Sequence, residues 1–342
     1  MEAPAPRAVS VVMPVFNGQA HLETALDSIL AQAAPSFELI AVDDGSTDQT
    51  ASILDRRSRR DSRLRVIRQP HSGIVAALNR GVAAARGRYI ARMDADDVSL
   101  PGRLGLQAGY LDSHPAIGLV ASRVAYLGDS ERNRGLSVFV DWTNALTTPD
   151  DIALSRFIES PFVHPSVMFR RELTARFGAY RDGDFPEDYE LWLRWLERGV
   201  RMAKLDQTLL EWRESLGRLT RSDPRYSVEA FYRTKTPYLC RWLERHNPHH
   251  PEVIVWGSGR TSRQRQRFLI TLGVRVRAYV DIDPRKIGYT IGDAKVIAPK
   301  RLPPPESCFV LGWVGSRGAR DDIARELEQR RYVRGRHYIL CA

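Results

Sequence analysis

The 342-residue sequence predicts an α/β protein: a mainly parallel sheet flanked by helices, then a second, smaller Rossmann-like α/β domain. Three observations carry this. Short apolar runs alternate with helical stretches from Val9 to Met93, and again from Val253 to Cys341, the pattern of parallel sheets. Polar motifs stand where the runs end, the rim on which such sheets bind ligands. The pattern lapses after about Thr220, where an arginine- and aromatic-rich stretch leads into His246-Asn247-Pro248-His249-His250-Pro251.

Val9 to Pro14 reads as a strand ending in Pro14-Val15-Phe16-Asn17-Gly18. Leu22, Ala25, Leu26 and Ile29 then recur at helical spacing. Phe37 to Val42 is a second strand, ending in Asp43-Asp44-Gly45-Ser46-Thr47-Asp48, and Thr47 or Asp48 suits the cap of the next helix. Leu64 to Arg68 is a third strand, followed by His71-Ser72-Gly73 and a helix from Ile74 to Ala85. Tyr89 to Met93 is a fourth strand, running into Asp94-Ala95-Asp96-Asp97. The later chain predicts a helix from about Glu187 to Arg198 and another from Tyr226 to His246, with a break or kink at Pro237. Beyond residue 250, strands are expected at Val253–Trp256, Val274–Val280, Phe309–Trp313 and Tyr338–Cys341, and helices at Thr261–Leu272 and Arg320–Arg331. The domain expectation is a disordered 1–7, a first domain over 8–220, a helical connector over 221–250 and a small Rossmann-like domain over 251–342.

The cluster Asp94-Ala95-Asp96-Asp97 concentrates carboxylates at one strand end, in a chain of net charge +10. Hard divalent cations take oxygen ligands, and Mg²⁺ is typically held by one or two carboxylates plus substrate phosphates. A metal–diphosphate site is the functional reading; a solvated acidic turn before Pro101 is the alternative for this cluster alone. Convergence of the Pro14–Gly18, Asp43–Asp48 and Asp94–Asp97 motifs on one rim favours the site.

Together with Asn79-Arg80-Gly81, Ala85-Arg86-Gly87-Arg88-Tyr89-Ile90 and Glu187-Asp188-Tyr189-Glu190-Leu191-Trp192, these motifs resemble, in order and spacing, a family 2 glycosyltransferase of the GT-A fold over about residues 8–215. The resemblance implies an inverting, metal-dependent transfer of a sugar from a nucleoside-diphosphate-sugar, a UDP-sugar being favoured, to a hydroxyl of a glycan or lipid-linked acceptor in bacterial surface polysaccharide assembly. It implies donor contacts at Pro14, Phe16, Asn17, Asp44, Asn79, Asp94, His164 and Glu187. Phe16 would pack on the base and the Asp44 carboxylate would accept from its ring N–H. Asp96 would ligate Mg²⁺ or Mn²⁺ with help from Asp97, and Asp94 would lie near the donor sugar or ribose. Asp188 would be the catalytic base. Glu187 and Asp188 also suit a helix start as plain charges favoured by the helix dipole. His164 is implied at phosphate or metal, although a lone histidine is equally a structural hydrogen-bonder. Arg194-Trp195 lacks the preceding glutamine of processive polymerases, and Leu191 and Trp195 share a helix face suited to the core.

Two other classes are weighed. Nucleotidyl transfer calls for a Gly-rich basic phosphate loop, which Pro14–Gly18 lacks. A non-catalytic sugar-nucleotide-binding or assembly protein would have no need to keep every acidic position. No apolar run reaches the roughly 18–20 residues of a membrane span. The start Met1–Pro6 lacks a secretory pattern, and Cys240, Cys308 and Cys341 form neither a disulfide framework nor a zinc pattern, so a cytoplasmic location is expected. The basic excess suits peripheral contact with an anionic membrane; no nucleic-acid motif accompanies it. In the second domain, Gly257 and Gly259 match two glycines of a dinucleotide fingerprint, with Asp281 or Asp283 about twenty residues on, but Ser262 stands at the third.

Overall fold

The segment Val9–Val15 (β1) is buried along its whole length, as expected of a central parallel strand covered on both faces. It pairs in parallel with Phe37–Asp43 (β2) and Tyr89–Arg92 (β4), and β2 pairs in parallel with Leu64–Arg68 (β3). The pairing of β1 with β4 ends at Val12. Pro14, which has no N–H to donate, thus sits beyond the stretch where β4 would need one. A computed structural model describes residues 8–33, 35–214, 223–316 and 318–342. The expected disordered segment 1–7 and the expected boundary near residue 220 lie outside the described residues.

The sheet continues with Val98–Ser99 (β5), Ile117–Leu127 (β6), Met168–Arg170 (β7) and Arg201–Arg213 (β8), in the order β3-β2-β1-β4-β7-β6-β8-β5. β7 runs antiparallel to both β4 and β6, while β6 and β8 are parallel. The helices are Leu22–Leu30 (α1), Thr50–Arg60 (α2), Ile74–Ala84 (α3), Arg103–Ser113 (α4), Arg134–Ala145 (α5), Pro149–Ser155 (α6), Glu172–Phe177 (α7) and Glu187–Glu197 (α8). α1 buries Leu22, Ala25, Leu26 and Ile29, the face its spacing predicts. Of the two caps expected for α2, Asp48 is the one whose side chain meets the helix start. Gln49 holds the N-cap position without a side-chain bond, and the Asp48 carboxylate instead accepts from Thr50 N at 2.9 Å and Gln19 N at 3.1 Å. Asp48 therefore ties two loops together as well as holding the start of the helix.

By contacts, the chain divides into one unit of Met1–Ala153, Pro161–Gly183 and Glu187–Ser222, and another of Leu154–Ser160, Asp184–Pro186 and Asp223–Ala342. The second unit contains Val228–His246 (α9), Arg260–Thr271 (α10) and Ala319–Gln329 (α11). Its sheet is formed by Glu252–Trp256 (β9), Arg275–Val280 (β10), Thr290–Ile291 (β11), Ala294–Ile297 (β12), Val310–Gly312 (β13) and Tyr338–Leu340 (β14). The order is β11-β12-β10-β9-β13-β14, parallel except for β11. α9 runs unbroken through Pro237, against the expected break. Leu239 and Leu243 are fully buried on it, Trp242 packs on Phe157 and Phe309, and the Thr236 hydroxyl donates to Tyr232 O at 2.6 Å. Packing on both sides of the proline thus outweighs the lost helical hydrogen bond. No helix among the described residues is long and apolar enough to cross a membrane.

Candidate active site at the carboxyl rim of the first sheet

The loops after β1 and β2 are joined by reciprocal bonds. Asn17, with φ of 51°, donates its N–H to Ser46 Oγ at 2.9 Å, and its Oδ1 accepts from Thr47 N at 2.8 Å. Gly18 N donates to Thr50 Oγ1 at 2.9 Å. Asn17 is thereby a scaffold for the rim, in a left-handed conformation that asparagine tolerates. Gly45, at φ +76°, lets this loop pass the next one: a Cβ there would lie 2.6 Å from His71 N.

Asp44 is buried, and protein groups surround its carboxylate. Oδ1 accepts from Gln69 Nε2 at 2.6 Å and Ser72 N at 2.9 Å, and Oδ2 accepts from Gly73 N at 2.9 Å, with His71 Nδ1 also 2.9 Å away. The 69–73 loop thus closes around the carboxylate that is expected to meet a nucleobase. Its effect is to fix His71, whose ring stacks on half-exposed Phe16 with centroids 4.1 Å apart and planes at 24°. An aromatic ledge results, with Pro14 buried in the strand below it.

Asp94, Asp96 and Asp97 each place a carboxylate oxygen within 4.8 Å of the others. Arg213, at the end of β8, pins this loop, donating N–H to Asp97 Oδ1 at 2.8 Å and Nε–H to Asp96 O at 3.0 Å. Arg92, buried at the end of β4, forms an ion pair with Asp94. Arg103 lies fully buried, donating to the carbonyls of Arg92 at 2.7 Å and Pro165 at 2.6 Å. Burial lowers its guanidinium to about 10, against the pull of Asp97. The carboxylates thus sit over buried arginines. An all-oxygen set of this kind suits Mg²⁺ or Mn²⁺.

Asp188 opens α8 beside buried Glu187. Burial, and then the charge of Glu187, push the Asp188 carboxyl up to about 7, while Arg92 pulls it back. Its Oδ1 accepts from Tyr189 N at 2.7 Å. Arg92 thereby acts on both halves of the site: it pairs with Asp94 and favours the ionised form of Asp188.

Asn79 and His164, two of the expected donor contacts, join a buried relay. The Asn79 amide is engaged at both ends by the Tyr180 backbone, donating to Tyr180 O at 2.9 Å and accepting from Tyr180 N at 3.1 Å. It positions Tyr180. His164 is buried edge-on to Trp192, with Nε2 2.8 Å from Tyr180 Oη and Nδ1 3.9 Å from Glu187 Oε1. Burial, and then the Arg92 charge, hold it well below the usual histidine range, so it is neutral. With a ring nitrogen committed to Tyr180, it acts as a core hydrogen-bonder, the structural alternative. Asn79→Ala would strand two buried backbone groups and is expected to cost about 1–3 kcal/mol, read by denaturant unfolding. Arg194 and Trp195 are also structural. Arg194 bonds Glu190 and the carbonyls of Gly178 at 2.9 Å and Ala179 at 2.7 Å, and Trp195 is fully buried.

Arg92 and Tyr180 are site residues that the sequence reading passed over. A charged residue inside an otherwise apolar strand run was the available signal for Arg92. Nothing local marked Tyr180, whose partner Asn79 is 101 positions away.

The family described as Glycosyl transferase family 2 matches residues 10–178. EpsE of Bacillus subtilis (strain 168), named as a glycosyltransferase, is 31% identical over 226 residues, which are 65% of this chain and 78% of EpsE. The O-antigen biosynthesis glycosyltransferase WbnJ of Escherichia coli is 29% identical over 242 residues, 69% of this chain and 89% of WbnJ. Among solved structures, S. aureus TarS 1-349 in complex with UDP-GlcNAc aligns with a TM-score of 0.56 at 20% identity, covering 77% of this chain and 71% of that one, a likeness of fold. The chain belongs to glycosyltransferase family 2. It is a glycosyltransferase whose first unit has the GT-A fold.

Proposed function

We propose that the chain is an inverting, metal-dependent glycosyltransferase that moves a sugar from a nucleoside-diphosphate-sugar, a UDP-sugar being favoured, to a hydroxyl of a glycan or lipid-linked acceptor. The observation that carries this is the pairing, around one buried arginine, of a carboxylate cluster with an aspartate of raised basicity. The donor base stacks on the Phe16–His71 ledge, with Asp44 and Asn17 holding its loops. Asp94, held by Arg92, faces the ribose or donor sugar. A Mg²⁺ or Mn²⁺ ion held by Asp96 and Asp97 would neutralise charge on the departing diphosphate. Ionised Asp188 takes the acceptor hydroxyl's proton as the new bond forms at the anomeric carbon and the bond to diphosphate breaks. A base on the face opposite the leaving group gives inversion. Glu187, next to Asp188, keeps its proton affinity high.

The names of WbnJ and of the amylovoran biosynthesis glycosyltransferase AmsE of Erwinia amylovora support a role in bacterial surface polysaccharide assembly. The solved TarS complex supports a nucleotide-sugar donor. The reading places the enzyme in the cytoplasm, at the inner face of the membrane, where its net charge of +10 would meet anionic lipid.

Titrating sugar nucleotides into the protein with and without Mg²⁺ or Mn²⁺, followed by thermal shift, tests the donor assignment. One donor should raise the melting temperature in a concentration- and metal-dependent way; no shift with any donor would overturn it. Phe16→Ala removes the ledge. Stacking is worth about 1–3 kcal/mol per base, so the dissociation constant for nucleoside diphosphate should rise roughly 5- to 150-fold. The melting temperature of the free protein should hold, because Phe16 is half-exposed.

A further inference from the structure

In the second unit β9 is flanked by β10 on one side and β13 on the other, so the winding of the sheet reverses beside β9. Open α/β sheets bind ligands outside the carboxyl ends of their strands at such a reversal. A cavity of about 450 Å³ lies there, lined by Gly257 and Gly259 after β9, Asp281 after β10 and Val314 after β13. Its size falls within the range of small-ligand sites. We propose that this cavity binds a nucleotide, a 5′-phosphorylated nucleoside, separately from the donor site of the first unit.

The turn is built for close approach. Gly257 has φ of +123°, and a Cβ on it would lie 2.8 Å from Val314 Cγ2 and 3.0 Å from Trp313 O. Asp281 holds the turn from the next strand, accepting from Ser258 Oγ and, at 3.3 Å, from Ser258 N. Gln266, fully buried, donates to Gly257 O at 3.2 Å, and its Oε1 has no hydrogen-bond partner among the described residues. The structure therefore fixes the backbone of this turn.

The lining matches the two ends of a nucleotide. Gly259 caps α10 without any side-chain bond, and a Cβ on it would meet nothing within 4 Å. The helix therefore starts at an uncrowded glycine that lines the cavity, and helix starts carry the unpaired N–H groups that bind phosphate. Lys286 adds a cation to the same lining, 3.1 Å from Asp281. Val280 and Ile323 supply apolar wall for a planar base, and Asp322 and Glu326 of α11, paired through one oxygen with Arg325 at 2.9 Å and Arg330 at 2.7 Å, offer their second oxygens to ribose hydroxyls and base amines. An anion-binding turn, apolar walls and carboxylate acceptors within one cavity describe a nucleotide better than a bare anion or a purely apolar ligand.

Isothermal titration of the full chain in EDTA with UDP, GDP, ADP, NAD⁺ and inorganic phosphate tests this. At least one nucleotide should bind at one site per chain without metal, and more tightly than inorganic phosphate. Gly259→Leu fills the open space at a φ of −63° that leucine adopts freely, so the melting temperature should hold while nucleotide affinity falls about tenfold or more. Phe16→Ala, which removes the base ledge of the donor site, should leave this metal-free binding intact, which separates it from the donor site. Absence of nucleotide binding in EDTA, equal binding of phosphate, or full affinity in a folded Gly259→Leu protein would overturn the proposal.

Discussion

Asp188→Asn is expected to leave donor and metal binding within a few-fold of wild type while transfer falls by about 10²–10⁴, the usual contribution of a general base. The substitution keeps shape and hydrogen bonding, including an acceptor for Tyr189 N, but removes basicity. A charge serving only the helix start predicts the opposite pattern: a loss of roughly a kcal/mol or less in stability and little change in transfer. The structure sharpens the contrast, because burial and Glu187 already disfavour the charge on Asp188. The raised value sets the sign of its effect on stability. Protonation favours the folded state, so the contribution is complete below the ordinary value of 3.8 and is lost as pH rises through about 7. Above pH 7 the asparagine variant should therefore melt no lower than wild type. Transfer by the wild type should rise with pH through about 7, an apparent value that belongs to the Glu187–Asp188 pair. A flat rate profile from pH 5 to 9, or near-normal transfer with a lowered melting temperature, would remove Asp188 as the base and shift the role to Glu187.

Asp96→Ala should abolish metal-dependent donor binding and leave the fold intact. Asp96 is only partly buried, and the loop that carries it is held through its own carbonyl and through the Asp97 carboxylate, both bonded to Arg213. Loss of its side chain removes a hard oxygen ligand without freeing the loop. Residual affinity for the nucleoside should persist through the Phe16–His71 ledge, so binding of free nucleoside is expected to change much less than binding of the diphosphate donor. Calorimetry with and without Mn²⁺ reads both. A variant that keeps wild-type activity and metal dependence would show that the carboxylate cluster is not the metal site.

The strands that build the rim were legible because a parallel strand covered on both faces is mostly apolar: β1, β2 and β4 read so despite Ser10, Glu38 and Arg92. Their polar endings were legible for the same reason, since acids and glycines are abrupt against such runs. What was hidden arises from packing across sequence distance. Nothing in the order of residues shows that Asn79 grips Tyr180, that Tyr180 meets His164, or that Arg103 reaches the carbonyls of Arg92 and Pro165. The Asp44 carboxylate was legible as a rim group, but its four neighbours come from the 69–73 loop, which became visible only in three dimensions. Pro237 does not break its helix because propensity is local and the burial of Leu239 and Leu243 is not. The role of Arg92 was missed for a related reason: its charge is invisible to a pattern of hydrophobicity, yet it balances the acids on both sides of the site.

The central claim, metal-dependent glycosyl transfer from a nucleotide sugar, is tested most directly by following free nucleoside diphosphate released from a panel of sugar nucleotides by the purified full chain. The account predicts slow release from one donor without an acceptor, dependent on Mg²⁺ or Mn²⁺, stopped by EDTA and absent in Asp96→Ala. A folded wild-type protein that releases nucleoside diphosphate from none of the donors, or does so undiminished in EDTA, would contradict it.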